Sequence, residues 1–243
     1  MDLHATSTYR SKFLRLPSRP LAVALTLWVA FVAGPAVPAL QKAITDPNEA
    51  ERLLKDGNER FRDFKLEHPH LDKKRRDSLV EGKQQPFAII FGCVDSRVPA
   101  ELVFDRGLGD LLVIRTAGQV LDSAALGSIE YGVAVLGAPL IVVLGHKNCG
   151  AVQDTIKTLD SRGAQPGYIA SLVNAIRPAV ERARRQPGDR DQLLDRAIRE
   201  NVALGVEQLK TSQILAEAIR ANKLKIVGAH YDLGSGAVDI TVR

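Results

Sequence analysis

Apolar positions along the chain follow two different periods. From Asp46 to Phe64, "DPNEAERLLKDGNERFRDF" spaces Ala50, Leu53, Leu54, Phe61 and Phe64 close to a helical repeat, with Asp46 placed as an N-cap ahead of Pro47. A polar connector, "EHPHLDKKRRDSLVEGKQQP", follows; its basic run Lys73 to Arg76 reads as a solvated turn or helix end. Beyond it, short apolar runs alternate with helical stretches. Phe87 to Gly92, Leu111 to Thr116, Leu140 to Gly145 and Lys225 to Tyr231 read as strands buried on both faces, as a parallel sheet requires. Asp122 to Gly137 predicts a helix closing on glycine. The stretches of about Ile169 to Arg185 and Asp191 to Ala221 repeat apolar residues at three and four spacing, as in Leu194, Ile198, Val202, Val206 and Leu209. Leu233 to Val242 predicts a turn and a further strand. The pattern therefore predicts an α/β fold: a central, mostly parallel β-sheet flanked by α-helices, with an N-terminal helical arm, in one domain over residues 40–243 and without repeats.

The first 39 residues follow neither period. Arg10, Lys12, Arg15 and Arg19 precede the apolar run "LAVALTLWVAFVA", Leu21 to Ala33, and Val37 and Ala39 fit the small-residue pattern for cleavage before Leu40. This is the pattern of an export signal over residues 1–39. "RSKFLR" resembles a twin-arginine signal whose second arginine is Ser11. The run is short for a bilayer span and is followed by Pro35 and Pro38, so no stable membrane insertion is expected after cleavage, and the destination is periplasmic or extracellular. The segment also alters the charge picture. The whole chain has a formal net charge of +5, but residues 1–39 hold four basic residues and one acidic, leaving 29 Lys and Arg against 27 Asp and Glu. That slight excess argues against a nucleic-acid partner, which would need a concentrated basic surface.

Candidate chemistry gathers behind two of the strands. "CVDSRV", Cys93 to Val98, leaves the first, and "HKNCG", His146 to Gly150, leaves the third. Loops at the carboxyl ends of parallel strands converge on a crevice, so both motifs are expected at one sheet edge. Two thiolates, an imidazole and the carboxylate of Asp95 suit tetrahedral Zn²⁺. Gly150 would let the helix starting near Cys149 pack close to the socket, and its first amides would favour the Cys149 thiolate. The competing reading for an exported protein is a Cys93–Cys149 disulfide, which leaves His146, Asp95 and Arg97 without a role. Other signals are weaker. His68 and His70 could form a small metal pair but read as an exposed loop around Pro69; His230 reads as a hydrogen-bonded core imidazole; and "GLGD" (Gly107 to Asp110) lacks the residues of a phosphate loop.

"CVDSRV" and "HKNCG", with "FDRGLGDLLVIRTAG" between them and "GSIEYGV" beyond, resemble the β-class carbonic anhydrases from about Asp46 to Val242. The resemblance implies one Zn²⁺ per chain held by Cys93, His146 and Cys149, with water or Asp95 in the fourth place, and reversible hydration of CO₂ to bicarbonate and a proton. Arg97 is positioned to clamp Asp95 off the metal, so Asp95 and Arg97 are the expected catalytic gate. Gln119 stands where many relatives have asparagine. The family likeness also implies a homodimer or homotetramer with the N-terminal helix reaching across to the partner. A related hydrolase acting on carbon disulfide or carbonyl sulfide would use the same metal site.

Overall fold

The computed structural model describes residues 43–243. The export signal expected at 1–39 lies outside the described residues. A five-stranded sheet forms the centre, in the order β2-β1-β3-β4-β5. Its strands are β1 (Ala88–Cys93), β2 (Leu111–Thr116), β3 (Leu140–His146), β4 (Lys225–Tyr231) and β5 (Val238–Val242). The first four are parallel, and β5 returns antiparallel to β4. β1 and β3 are buried along their whole length, as their unbroken apolar runs require. β2 departs from the expectation of burial on both faces: it is an edge strand, half-covered, with Arg115 exposed.

Helices cover both faces. On one side α1 (Pro47–Arg62) and α3 (Ala100–Val103) pack over Ile90, Val142, Leu144 and Val227. α1 starts where Asp46 accepts the amide of Asn48, and it buries Ala50 and Leu54 against this chain's own core. Phe64, expected on its apolar face, lies beyond the helix at φ +55 and is 94% exposed, because the helix ends at Arg62. The basic run of the connector opens a short helix, α2 (Lys73–Glu81), capped by Asp72. On the other side α4 (Ser123–Ala134), α7 (Arg190–Lys210) and α8 (Gln213–Arg220) cover Ile89, Phe91, Ile141, Val143 and Ile226. The long apolar stretch expected from Asp191 to Ala221 is two helices rather than one. Thr211 closes the first and Ser212 caps the second, its Oγ accepting the amide of Leu215. α5 (Gly150–Ser161) and α6 (Ile169–Ala183) complete the layer at the carboxyl end of the sheet. No helix among the described residues is long and apolar enough to cross a membrane.

Two glycines bring α7 unusually close to the sheet. A β-carbon on Gly145 would lie 2.5 Å from Val202 Cγ2, and one on Gly228 would lie 2.6 Å from Val202 Cγ1. Side chains on β3 and β4 would hold α7 off; their absence lowers it onto the strand ends. This matters for the site, because α7 then reaches the turn that leaves β2.

Candidate metal centre

β1 delivers Cys93 as its last residue, one position later than the apolar run suggests, and β3 delivers His146 in the same way. Cys149 follows as the residue capping α5. All three are buried, with His146 at 0% exposure, and their ligand atoms lie within 4.8 Å of one another. This is the one cluster of three or more potential ligands among the described residues. The cysteines are free, with sulfurs 4.0 Å apart, far beyond the bond length of about 2.05 Å, so the disulfide reading does not hold.

The donors fit a tetrahedral divalent cation. Two Zn–S bonds of about 2.3 Å opened to the tetrahedral angle would separate the sulfurs by about 3.8 Å, close to the observed 4.0 Å. His146 Nδ1 lies 3.0 Å from the carbonyl of Lys147, which can only accept, so the proton sits on Nδ1. Nε2 then points its lone pair inward, and it is buried without any hydrogen-bond partner. A buried, unpartnered ring nitrogen facing two thiols is costly unless something binds there.

Charge in the cluster is already biased towards ligation. The hydrogen bond from Cys149 holds the Cys93 thiol well below its usual pKa, against burial; His146 and the amides of Asp95 and Gly118 add to the effect. Cys149 is pushed up by the same bond and by burial, although the amides of Val152 and Ala151 at the start of α5 favour its thiolate. The two sulfurs thus share one proton, which a cation would displace. For His146, burial alone would lower the pKa, but the Cys93 thiolate raises it on balance. The helix-terminus amides expected to hold Cys149 as thiolate do act in that direction, but they are outweighed by Cys93 and burial. The close-packing role expected of Gly150 is absent, since a β-carbon there would meet nothing within 4 Å.

Asp95 borders the cluster, with Oδ2 3.8 Å from His146 Nε2, but it is turned towards Arg97. Arg97 Nε and a terminal nitrogen donate to its two oxygens at 2.9 and 2.7 Å, and the Arg97 amide donates at 3.0 Å. The guanidinium, foremost among these, holds the Asp95 carboxyl far below the usual carboxylate range. The gate residues expected from the sequence therefore stand together beside the ligands.

Three further groups support the ligands. Arg115, inside a quoted motif but given no role from sequence, reaches from β2 to donate to the carbonyls of Cys93 at 2.8 Å and Asp95 at 2.6 Å. The amide of Gly118 donates to Cys93 Sγ at 3.3 Å, and Asn201 on α7 donates to the Gly118 carbonyl at 2.7 Å. Gln119, the departure from asparagine, is buried at φ +44 with Oε1 unpartnered. The other histidines among the described residues serve otherwise. His70 bonds the Asp110 carboxylate at 2.8 Å, the amide of His68 donates to Asp105, and His230 is the buried core imidazole expected, although its Nε2 has no hydrogen-bond partner.

A mostly parallel α/β sheet carries, at the carboxyl ends of its strands, a buried Cys-His-Cys cluster that could hold a metal ion, the place and the donor set of a candidate metalloenzyme site. Comparison with known proteins gives the family. The sequence model described as "Carbonic anhydrase" matches residues 88–238. Carbonic anhydrase 2 of Mycobacterium tuberculosis is 45% identical over 193 residues, spanning 79% of this chain and 91% of the relative. Among solved structures, the β-carbonic anhydrase CafA of Aspergillus fumigatus superposes with a TM-score of 0.64 at 26% identity, covering 79% of this chain and 90% of that one. One of two tetrameric β-carbonic anhydrases of Sordaria macrospora gives 0.62 at 25% identity, with 79% and 96% covered. The chain belongs to the carbonic anhydrase family, in its β class.

Proposed function

We propose that this protein is a zinc enzyme that interconverts CO₂ and bicarbonate. The observation that carries this reading is the convergence of Cys93, His146 and Cys149 within 4.8 Å, with the Asp95–Arg97 pair beside them. Cys93, His146 and Cys149 would hold the cation. When bound, zinc lowers the pKa of water towards neutrality and so supplies a nucleophile for CO₂.

The chain's own residues do the rest. Asp95, ionised at every working pH because Arg97 stabilises its charge, is a hydrogen-bond acceptor and not a store for the released proton. It would orient a water molecule at the cluster by accepting a hydrogen bond from it, which leaves a lone pair free for the substrate carbon. Arg97 keeps the carboxylate from turning in to become a fourth ligand. Arg115 holds the backbone on both sides of Val94, so the cysteine and the carboxylate keep a fixed spacing.

The sulfur-analogue alternative has no observation in its favour. Export through residues 1–39, cleavage before Leu40 and a periplasmic or extracellular destination belong to the same proposal and rest on the sequence pattern alone. Assembly as a dimer or tetramer is proposed too, supported by the tetrameric Sordaria neighbour. Metal analysis with stopped-flow CO₂ hydration on the purified protein tests the central reading: one zinc per chain and rapid hydration are expected, and zinc-free protein, or loaded protein inert towards CO₂, would refute it. Sequencing the N-terminus of the mature protein and light scattering test the other two.

A further inference from the structure

We infer that Asn201, on α7 and not a metal ligand, is a positioning residue for the Cys93 thiolate, acting through Gly118. The inference rests on the reading that Cys93 binds the metal. Asn201 is 5% exposed, on a helix whose neighbouring buried residues, Ala197, Ile198, Val202 and Val206, are apolar. An amide buried in such a layer is costly unless it is bonded. Its Nδ2 donates to one acceptor, the carbonyl of Gly118, across 83 residues of sequence. Gly118 in turn donates its amide to Cys93 Sγ.

The two bonds flank a single α-carbon. Gly118 has φ +63, in the left-handed region, and a β-carbon there would sit 2.8 Å from Ile176 Cδ1 and 3.1 Å from Ala151 Cβ. The turn is thus wedged between α5 and α6 with a left-handed backbone that costs glycine least. Asn201 anchors the carbonyl on one side, which fixes the direction of the amide on the other. α7 can reach this turn because Gly145 and Gly228 let it lie low on the sheet.

The chemical consequence is specific. An N–H donor on a thiolate draws electron density from sulfur and lowers the energy of its lone pairs. Two thiolates cancel the formal charge of a divalent metal and weaken it as a Lewis acid. The Gly118 amide offsets part of that donation at Cys93, and Asn201 keeps it aimed there.

The test replaces zinc by Co²⁺ in the full-length protein and compares wild type with Asn201→Asp, which keeps the shape but removes the donor, and with Val202→Ala, a packing defect on the same helix. Asn201→Asp is expected to move the sulfur-to-cobalt charge-transfer band to longer wavelength, because a thiolate without its N–H donor holds its lone pairs at higher energy. Val202→Ala is expected to lower the thermal midpoint and leave the band in place. A band in Asn201→Asp that superimposes on wild type, or an equal shift in Val202→Ala, overturns the inference while leaving the metal centre intact. Absence of any thiolate band in the wild-type cobalt protein overturns the metal centre and this inference together. If Asn201→Asp does not fold, ¹⁵N-labelled wild type loaded with ¹¹³Cd decides: a through-hydrogen-bond coupling between cadmium and the Gly118 amide proton, with that proton protected from exchange, is expected, and its absence refutes the relay.

Discussion

Replacing Arg115 by methionine keeps most of the aliphatic stem and deletes two hydrogen bonds, those to the carbonyls of Cys93 and Asp95 at 2.8 and 2.6 Å. Charge-assisted bonds contribute about 1.5–3 kcal/mol when shielded from water. Arg115 is exposed, so solvent competes for both carbonyls and about 1 kcal/mol per bond is the fitting figure. The turn from Cys93 to Asp95 then loses about 2 kcal/mol of preference for its working geometry, close to a thirtyfold change in population. Stopped-flow CO₂ hydration with a pH indicator should show kcat/KM reduced by about ten- to thirtyfold in Arg115→Met. Arg115→Lys, able to restore one bond, should lose about half the free energy, or about fivefold. Zinc content should stay stoichiometric, because the three ligands come from β1, β3 and the start of α5, all held by the core. An Arg115→Met enzyme within twofold of wild type would refute the reasoning, and so would a loss of activity that merely follows a loss of metal.

Three other outcomes follow from the same geometry. Arg97→Ala should leave zinc full and lower CO₂ hydration, since the Asp95 carboxylate is then free to turn towards the cluster; undiminished turnover in that variant would remove the gate from the mechanism. Gly57→Ala should destabilise the fold although alanine favours helices by about 1 kcal/mol: its β-carbon would lie 1.9 Å from the Phe104 carbonyl oxygen, a backbone atom that cannot rotate away. That overpacking costs about 1–3 kcal/mol or more, so the urea midpoint should fall, and a rise would show that α1 can shift freely over α3. The third concerns acid stability. Burial, then Arg199, hold His230 below the usual histidine pKa, against the opposing pull of Asp195 and Asp232. As pH drops through about 6.5 the unfolded chain takes up that proton first, so stability falls with acidity there. His230→Gln should flatten this part of the thermal midpoint against pH profile, and an unchanged slope would exclude His230 as its source.

The sequence by itself determined the class of fold and the main ligands. The unbroken apolar runs at β1, β3 and β4 require burial on two faces, and only a helix-covered parallel sheet supplies that; a cysteine and a histidine directly behind two such runs must then meet at one edge. Its errors came from features that local pattern does not encode. β2 is apolar enough for a central strand, but its place at the edge depends on strand order. Phe64 fits the helical repeat of α1, yet the helix ends before it. Gly150 looked like a close-packing glycine and faces open space, whereas Gly145 and Gly228 are the ones that admit α7. Arg115 and Asn201 were illegible as supports because their partners are backbone atoms, 20 to 83 residues away, which carry no side-chain signature. Tertiary structure alone decided those contacts. Periodicity records which face of an element is buried, while the aim of a backbone amide at a sulfur is set by how three separate elements pack around one glycine.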